Sequence, residues 1–296
     1  MYERFYGLHE RPFELTPNPR YLFLSPRHTE ALTMLEYGTS RRNGLTLLIG
    51  EAGTGKTTLV YAALERQRAE NALHVFLTNP ALTRDEFFDF LARGFGLSAE
   101  AHGSKSRFLI ELSASLAERS DAGGGAALIV DEAQCLSDAL LEEIRLLGNI
   151  ETTRQKLLSI ILIGQPELGD RLNASALRQL KQRVALRCTL AALNLAETTA
   201  YITTRMGVAG GDAAAIIDPA AIEAIYVAAG GIPRTISVIC ENALINGFAL
   251  GRRSIGIDVI AEVCRDYAFA LPAEPATTTA APNDIPAQRL SFFGGV

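Results

Sequence analysis

The sequence is poor in several features that would place it in a familiar class. Its four cysteines, Cys135, Cys188, Cys240 and Cys264, are far apart and form no C-x-x-C pair, so neither a zinc site nor a disulfide framework is indicated. They read as ordinary cytosolic thiols. The residues after Met1 lack the basic and apolar blocks of a secretory leader, and no apolar run approaches the length of a membrane span. The expectation is a soluble, cytoplasmic protein. Net charge is small, −5 over 296 residues, so no global basic field attracts nucleic acid, although a local patch could still do so. From Leu271 onward there are almost no large apolar residues until Leu290, Phe292 and Phe293. Pro, Ala and Thr take their place and cannot bury a core, so residues 271–296 are expected to form a disordered tail. Ser291-Phe292-Phe293 reads as frayed chain or as a docking peptide.

Against these absences stands 48% hydrophobic content, enough for one substantial core and a smaller one. The most informative stretch is Gly50-Glu51-Ala52-Gly53-Thr54-Gly55-Lys56-Thr57, which fits G-x-x-x-x-G-K-[ST] and is followed by Thr58. It lies between the β-prone run Leu45–Ile49 and a run of good helix formers from Thr57 to Gln67. In such a loop the glycines let successive N–H groups face one anion. Lys56 reaches the terminal phosphates, and the Thr57 hydroxyl can ligate an accompanying magnesium. The helix that begins near Lys56 points its positive end at the same phosphates. Gly50 to Thr58 is therefore the expected nucleotide-binding stretch.

A second apolar run, Ala126–Val130, ends in Asp131 and Glu132. With a phosphate loop upstream, Asp131 is placed to hold the magnesium and Glu132 to orient and deprotonate an attacking water. The plainer alternative is that the two carboxylates cap the next helix.

Apolar runs at Leu45–Ile49, Leu73–Leu77, Ala126–Val130 and Leu157–Ile163 alternate with helix-like stretches, which implies a parallel sheet covered by helices on both faces. Thr83–Leu97 forms one crossover, with Phe87, Phe88 and Leu91 at helical spacing. After Glu132, Leu136, Leu140, Ile144 and Leu147 form a stripe opposite Glu142, Glu143 and Arg145. Past Arg187 strand signals fade. Helical patterns follow at Glu197–Met206, Pro219–Ala228, Thr235–Leu250 and Asp258–Ala268. The expected division is a linker and lead-in helix over 1–42, an α/β core over 43–192, a small helical lid over 193–270, and the tail.

A phosphate-loop α/β domain followed by a helical domain resembles the AAA+ ATPases, and the chain is similar to the ExeA/GspA group of secretion-associated ATPases. The resemblance covers nearly everything before residue 270. It rests on Phe5-Tyr6-Gly7-Leu8, Pro12-Phe13, Leu15-Thr16-Pro17-Asn18-Pro19, Leu22-Phe23-Leu24-Ser25 and His28-x-Glu30-Ala31-Leu32. It continues through Asp131-Glu132-Ala133-Gln134, Glu143–Leu147, Gly164-Gln165-Pro166-Glu167-Leu168, Gln182-Arg183 and Gly230-Gly231-Ile232-Pro233-Arg234.

The resemblance implies further roles. Gln165, ending the fourth strand, would sense the γ-phosphate where Asn or Thr is more usual, unless Gln165-Pro166 is only a turn. Arg183 falls where a subunit presents an arginine finger to its neighbour's nucleotide, with Arg178 and Arg187 as rivals. Arg234 resembles a lid arginine that reaches the γ-phosphate; a cation at a helix start opposes the helix dipole unless an anion is near. Phe13, Pro17, Pro19, Leu22 and Phe23 would lie over the adenine or simply pack on the core. His28 would serve as a helix-start residue or contact the base.

On this reading the chain binds ATP with Mg2+, hydrolyses it, and assembles as a homo-oligomer that ATP promotes. Type II secretion members carry a membrane span and a peptidoglycan-binding region that this sequence lacks. It is therefore closer to shorter relatives linked to pilus biogenesis or exopolysaccharide export, with a membrane-bound partner as anchor. The alternative is a DNA-binding switch similar to the transposition ATPases. Arg178, Lys181, Arg183 and Arg187, and separately Arg252-Arg253, are the basic groups that would serve it.

Overall fold

A computed structural model of the chain describes residues 1–16, 18–40, 44–66 and 72–269. Pro17, Gln67 and the expected tail from residue 271 lie outside the described residues. The order of elements is α1 (Tyr2–Tyr6), α2 (Pro26–Ser40), β1 (Leu45–Gly50), α3 (Lys56–Arg66), β2 (Leu73–Leu77), α4 (Arg84–Gly94), α5 (Lys105–Asp121) and β3 (Ala126–Val130). Then come α6 (Asp138–Leu147), β4 (Ser159–Gly164), α7 (Pro166–Arg171), α8 (Arg178–Arg183) and β5 (Val184–Leu190). The rest is helical: α9 (Leu195–Val208), α10 (Ala213–Ile216), α11 (Pro219–Ala229), α12 (Pro233–Ala249) and α13 (Ile257–Asp266).

The five strands form one parallel sheet in the order β2-β3-β4-β1-β5. Both faces are covered. On one side Leu45, Leu47 and Ile49 pack with Leu128, Leu162, Phe87 and Ile144; on the other Leu48 packs with Leu35, Leu59, Ile129 and Ile163. That is why β1, β3 and β4 read as unbroken apolar runs: alternate residues enter two different cores. All the strands point the same way, so the loops after β1, β3 and β4 emerge together at one edge, where an open α/β sheet binds its ligands.

Two elements differ from the sequence reading. β5 continues to Leu190, beyond the point where strand signals fade, because it is an edge strand. Cys188 and Leu190 turn inward while Ala185, Arg187 and Thr189 face out, which halves its apolar signal. The crossover from β2 to β3 contains a second helix, α5, started by the Ser104 hydroxyl, which accepts the Arg107 N–H. Glu143 also departs from the polar face expected of it. It is buried, 5% exposed, and accepts both Lys105 Nζ, at 2.6 and 2.8 Å, and Arg84 from α4. It thereby ties α4, α5 and α6 together.

The start of the chain is shared between the two cores. Tyr2, Tyr6, Leu8 and Phe13 are buried in the cluster formed by α9 to α13. The Tyr2 hydroxyl donates to both carboxylate oxygens of Glu241 on α12 at 2.8 Å, and the Tyr6 hydroxyl donates to the Arg252 carbonyl at 3.0 Å. In contrast, α2 contributes Ala31, Leu32 and Leu35 to the sheet's second core. The segment between α1 and α2 therefore crosses from the helical domain to the sheet domain, directly beside the phosphate loop.

Candidate functional site

The loop after β1 has the backbone that its glycines permit. Gly53 and Gly55 adopt φ of 81° and 92°, a region that costs an L side chain about 1–2 kcal/mol. Gly50 is confined differently: a Cβ there would sit 2.8 Å from the Thr54 hydroxyl and 2.9 Å from the Leu190 carbonyl. Among the described residues, the backbone N–H groups of Gly53, Gly55, Lys56, Thr57 and Thr58 find no protein acceptor. These five donors belong to residues that line one pocket at and just before the start of α3, where the helix dipole favours an anion.

Lys56 is 6% exposed, and its ammonium donates to the Gly50 carbonyl at 2.7 Å and the Glu51 carbonyl at 2.9 Å. Burial pushes its pKa down, while Glu132 and Asp131 pull against that shift. The Thr57 hydroxyl donates to Asp131 Oδ2 at 2.7 Å, and Asp131 Oδ1 accepts the Glu132 N–H at 2.9 Å. Glu132 itself sits in the left-handed region at φ 51°. Its side chain caps no helix, and α6 is started instead by Ser137, whose hydroxyl accepts the Leu140 N–H.

Gln165, ending β4, reaches the same carboxylate: its Nε2 donates to Glu132 Oε2 at 3.2 Å. Gln134 Nε2 donates to that oxygen at 2.5 Å, and Gln134 Oε1 accepts the Gln165 N–H at 3.1 Å. His28 is buried against the phosphate loop. Its Nε2 lies 3.0 Å from the Thr54 carbonyl and its Nδ1 2.8 Å from the Ser25 hydroxyl, so it braces the loop.

The helical domain closes over this edge. α12 begins at Pro233, and the Arg234 N–H donates to the Gly53 carbonyl at 3.2 Å. The result is a cavity of about 460 Å3 bounded by Ala52–Thr58, Glu132, Pro233 and Arg234, with Leu15, Tyr21, Leu22 and Phe23 on the crossing segment and His28 on α2. Its size suits a nucleotide-scale ligand. Tyr201, Arg205 and Ser237 complete the wall. The Arg205 guanidinium lies 4.9 Å from the Tyr21 ring and donates from Nε to the Pro12 carbonyl at 2.6 Å, pinning the crossing segment to α9. Sequence reasoning did not single out Tyr201, Arg205 or Ser237. The one local signal was the i, i+4 spacing of Tyr201 and Arg205, which puts both on one face of α9.

The predicted residues thus fall into two places. Gly50 to Thr58, Asp131, Glu132, Gln165 and Arg234 gather around one mouth. Arg183 does not join them: it ends α8 just before Val184, which pairs with Leu45 at the opposite end of β1 from the phosphate loop. It lines a smaller cavity of about 220 Å3 with Arg145 and Lys156.

Residues 39–172 match the family described as AAA domain. Over 255 residues, 86% of the chain, the sequence is 40% identical to general secretion pathway protein A of Aeromonas hydrophila. The chain carries an AAA domain and is related to general secretion pathway protein A. The chain spans 46% of that relative's length. In fold the chain is similar to Cdc6p from Pyrobaculum aerophilum, with a TM-score of 0.67 at 18% identity over 86% of this chain and 70% of that one. It is also similar to the ORC2 protein of Aeropyrum pernix in ADPNP–ADP complexes, with a TM-score of 0.64 at 17% identity over 87% of this chain and 71% of that one. Among its described residues, no helix is long and apolar enough to cross a membrane.

Proposed function

We propose that this AAA+ protein binds Mg-ATP in the cavity between its sheet and its lid, and hydrolyses it to drive conformational change in a secretion, pilus or exopolysaccharide-export assembly. The observation that carries the reading is the junction of Thr57, Asp131, Glu132 and Gln165 beside a loop of five unpaired N–H donors. These residues fit the group. Among the described residues no cluster of three or more His, Cys, Asp or Glu side chains could hold an ion by itself. Magnesium does not need one, because it keeps several waters and takes one or two protein oxygens beside the phosphates. Thr57 and Asp131 would supply those oxygens. When bound, the ion neutralises charge developing on the phosphate oxygens.

The chain's own residues do the rest. The N–H groups of Gly53 and of Gly55 to Thr58 hold the phosphate oxygens, and Lys56, held in place by the carbonyls of Gly50 and Glu51, lies within reach of the terminal phosphates. Glu132 takes a proton from the attacking water, with Gln165 donating to the same carboxylate to set its direction. Arg234 has no ion pair or side-chain hydrogen bond among the described residues, which suits a cation reserved for phosphate. Loss of the γ-phosphate would remove the group that Arg234 and the phosphate loop share, and so change the angle between lid and sheet. Arg183, remote from its own cavity, would act on the site of a neighbouring copy.

The test is ATP hydrolysis and ATP binding by the chain and by Glu132→Gln, with mass followed by light scattering with and without ATP and duplex DNA. Turnover lost in Glu132→Gln with binding retained, and assembly driven by ATP alone, is the expected result. Assembly and turnover that appear only with DNA would replace this reading with a transposition-type switch.

A further inference from the structure

Gln134 carries a connection that the proposed chemistry does not use. Its amide cannot be reversed without loss. The Gln165 N–H can only donate, so Gln134 must turn Oε1 toward it, at 3.1 Å, which leaves Nε2 to face the Glu132 carboxylate at 2.5 Å. One side chain thus joins the carboxylate after β3 to the backbone at the end of β4. The approach is tight on the strand side: a Cβ on Gly164 would sit 3.0 Å from Gln134 Oε1 and 2.6 Å from Leu168. The backbone of Gln134 is held as well. Arg171, at the far end of α7, donates from Nη1 to the Gln134 carbonyl at 2.7 Å and to the Leu136 carbonyl at 2.9 Å, and pairs with Asp138. α7 therefore grips the turn after β3 at both its ends, through Gln165 and through Arg171.

We propose that Gln134 is a positioning residue that couples the Glu132 carboxylate to the end of β4, so that displacement of Gln165 by ligand is passed to Glu132. The proposal rests on the reading of Glu132 as general base. The physical ground is geometric. Glu132 is exposed and its backbone is strained at φ 51°, so nothing in its own packing fixes the carboxylate. Its direction is set by two amides donating to one oxygen, Gln134 and Gln165, and Gln134 is the one anchored at both ends. A catalytic group left to swing by about 1 Å loses on the order of a hundredfold in rate.

The experiment compares the full chain with Gln134→Met, which keeps length and bulk but cannot hydrogen-bond, and with Gln134→Glu, which sets a second carboxylate against Glu132. Turnover, ATP affinity and melting temperature are measured for each, and again in the Glu132→Gln background. The expected result is a fall in kcat of between tenfold and a hundredfold for Gln134→Met and a larger fall for Gln134→Glu. KM, ATP affinity and melting temperature should stay near those of the parent, with no further loss when Gln134→Met is added to Glu132→Gln.

A fall in affinity or melting temperature that matches the fall in rate would reduce Gln134 to a packing residue and overturn the proposal. The same loss from Gln134→Met in both backgrounds would show that it does not act through Glu132, and would overturn it too. Glu132→Gln turning over at the parent rate would overturn the base reading itself, which is a separate failure.

Discussion

The Arg234 N–H donates to the Gly53 carbonyl at 3.2 Å, so the first turn of a lid helix is hydrogen-bonded to the phosphate loop of the sheet domain. A Cβ on Gly53 would lie 2.7 Å from Arg234 Cβ. Gly53→Ala would therefore meet two obstacles, a φ of 81° and a collision with the lid. The expected outcome is a loss of ATP affinity of at least tenfold, with melting temperature lowered only by the backbone strain of about 1–2 kcal/mol. Titration of a fluorescent ATP analogue, set beside thermal melts of the same variant, checks it. Unchanged affinity would mean that the lid contact does not shape the site.

Arg183 stands at the opposite end of β1 from the phosphate loop, so its contribution should be visible only between copies. Arg183→Ala is expected to bind ATP normally yet lose on the order of a thousandfold or more in turnover, as removal of an arginine finger does. Mixing it with Glu132→Gln gives the decisive readout. Each variant alone is inactive, but a mixed assembly contains interfaces with an intact Glu132 on one side and an intact Arg183 on the other. Recovered turnover on mixing is the prediction; a mixture as inactive as its parts would count against Arg183.

Glu143 joins three helices through two cations, and its own side chain is 6% exposed while Arg84 is 55% and Lys105 35% exposed. Removing the carboxylate strands cations that still reach water, so the cost falls at the lower end of the range for a broken buried pair. Glu143→Ala should lose about 3 kcal/mol, which for a chain of this size is roughly 6–12 °C in melting temperature. ATP affinity measured well below the transition should not change. Thermal denaturation followed by circular dichroism would show it, and a shift under 2 °C would contradict it.

Tyr2 and Glu241 give a pH-dependent test. Burial raises the Glu241 pKa above the ordinary carboxylate value, and the Tyr2 hydroxyl opposes that shift by donating to the charged form. A carboxyl with a raised pKa in the fold destabilises it when ionised, and that cost is relieved as pH falls through the raised value. Tyr2→Phe removes the opposing hydrogen bond and raises the pKa further. The variant should be less stable than the parent by about 1–3 kcal/mol at neutral pH, and the gap should narrow as pH falls toward the carboxylate range. Urea denaturation at neutral and mildly acidic pH decides; a gap that does not vary with pH would place the loss in packing.

The sequence by itself determined whatever is specified within a few turns of chain. The phosphate loop was legible because Gly50 to Thr57 must be contiguous to fold around an anion. β1 and β3 were legible because short apolar runs followed by Gly or by Asp131-Glu132 have few other uses. The lid helices showed their periodicity, and Pro219 and Gly230 marked the two ends of α11.

Only the tertiary structure decided what depends on partners far along the chain. β5 is half apolar because an edge strand is covered on one face, so Arg187 in its middle looked like the end of a strand. Glu143 looked solvated until α4 and α5 brought Arg84 and Lys105 to it. Tyr2 belongs to the lid because it meets Glu241, 239 positions away, and Gln134 joins Glu132 to β4 only because the sheet places Gln165 beside it. A side chain's chemistry is written in its residue type, but its burial, its partner and the direction of its charge are set by whatever the fold packs against it.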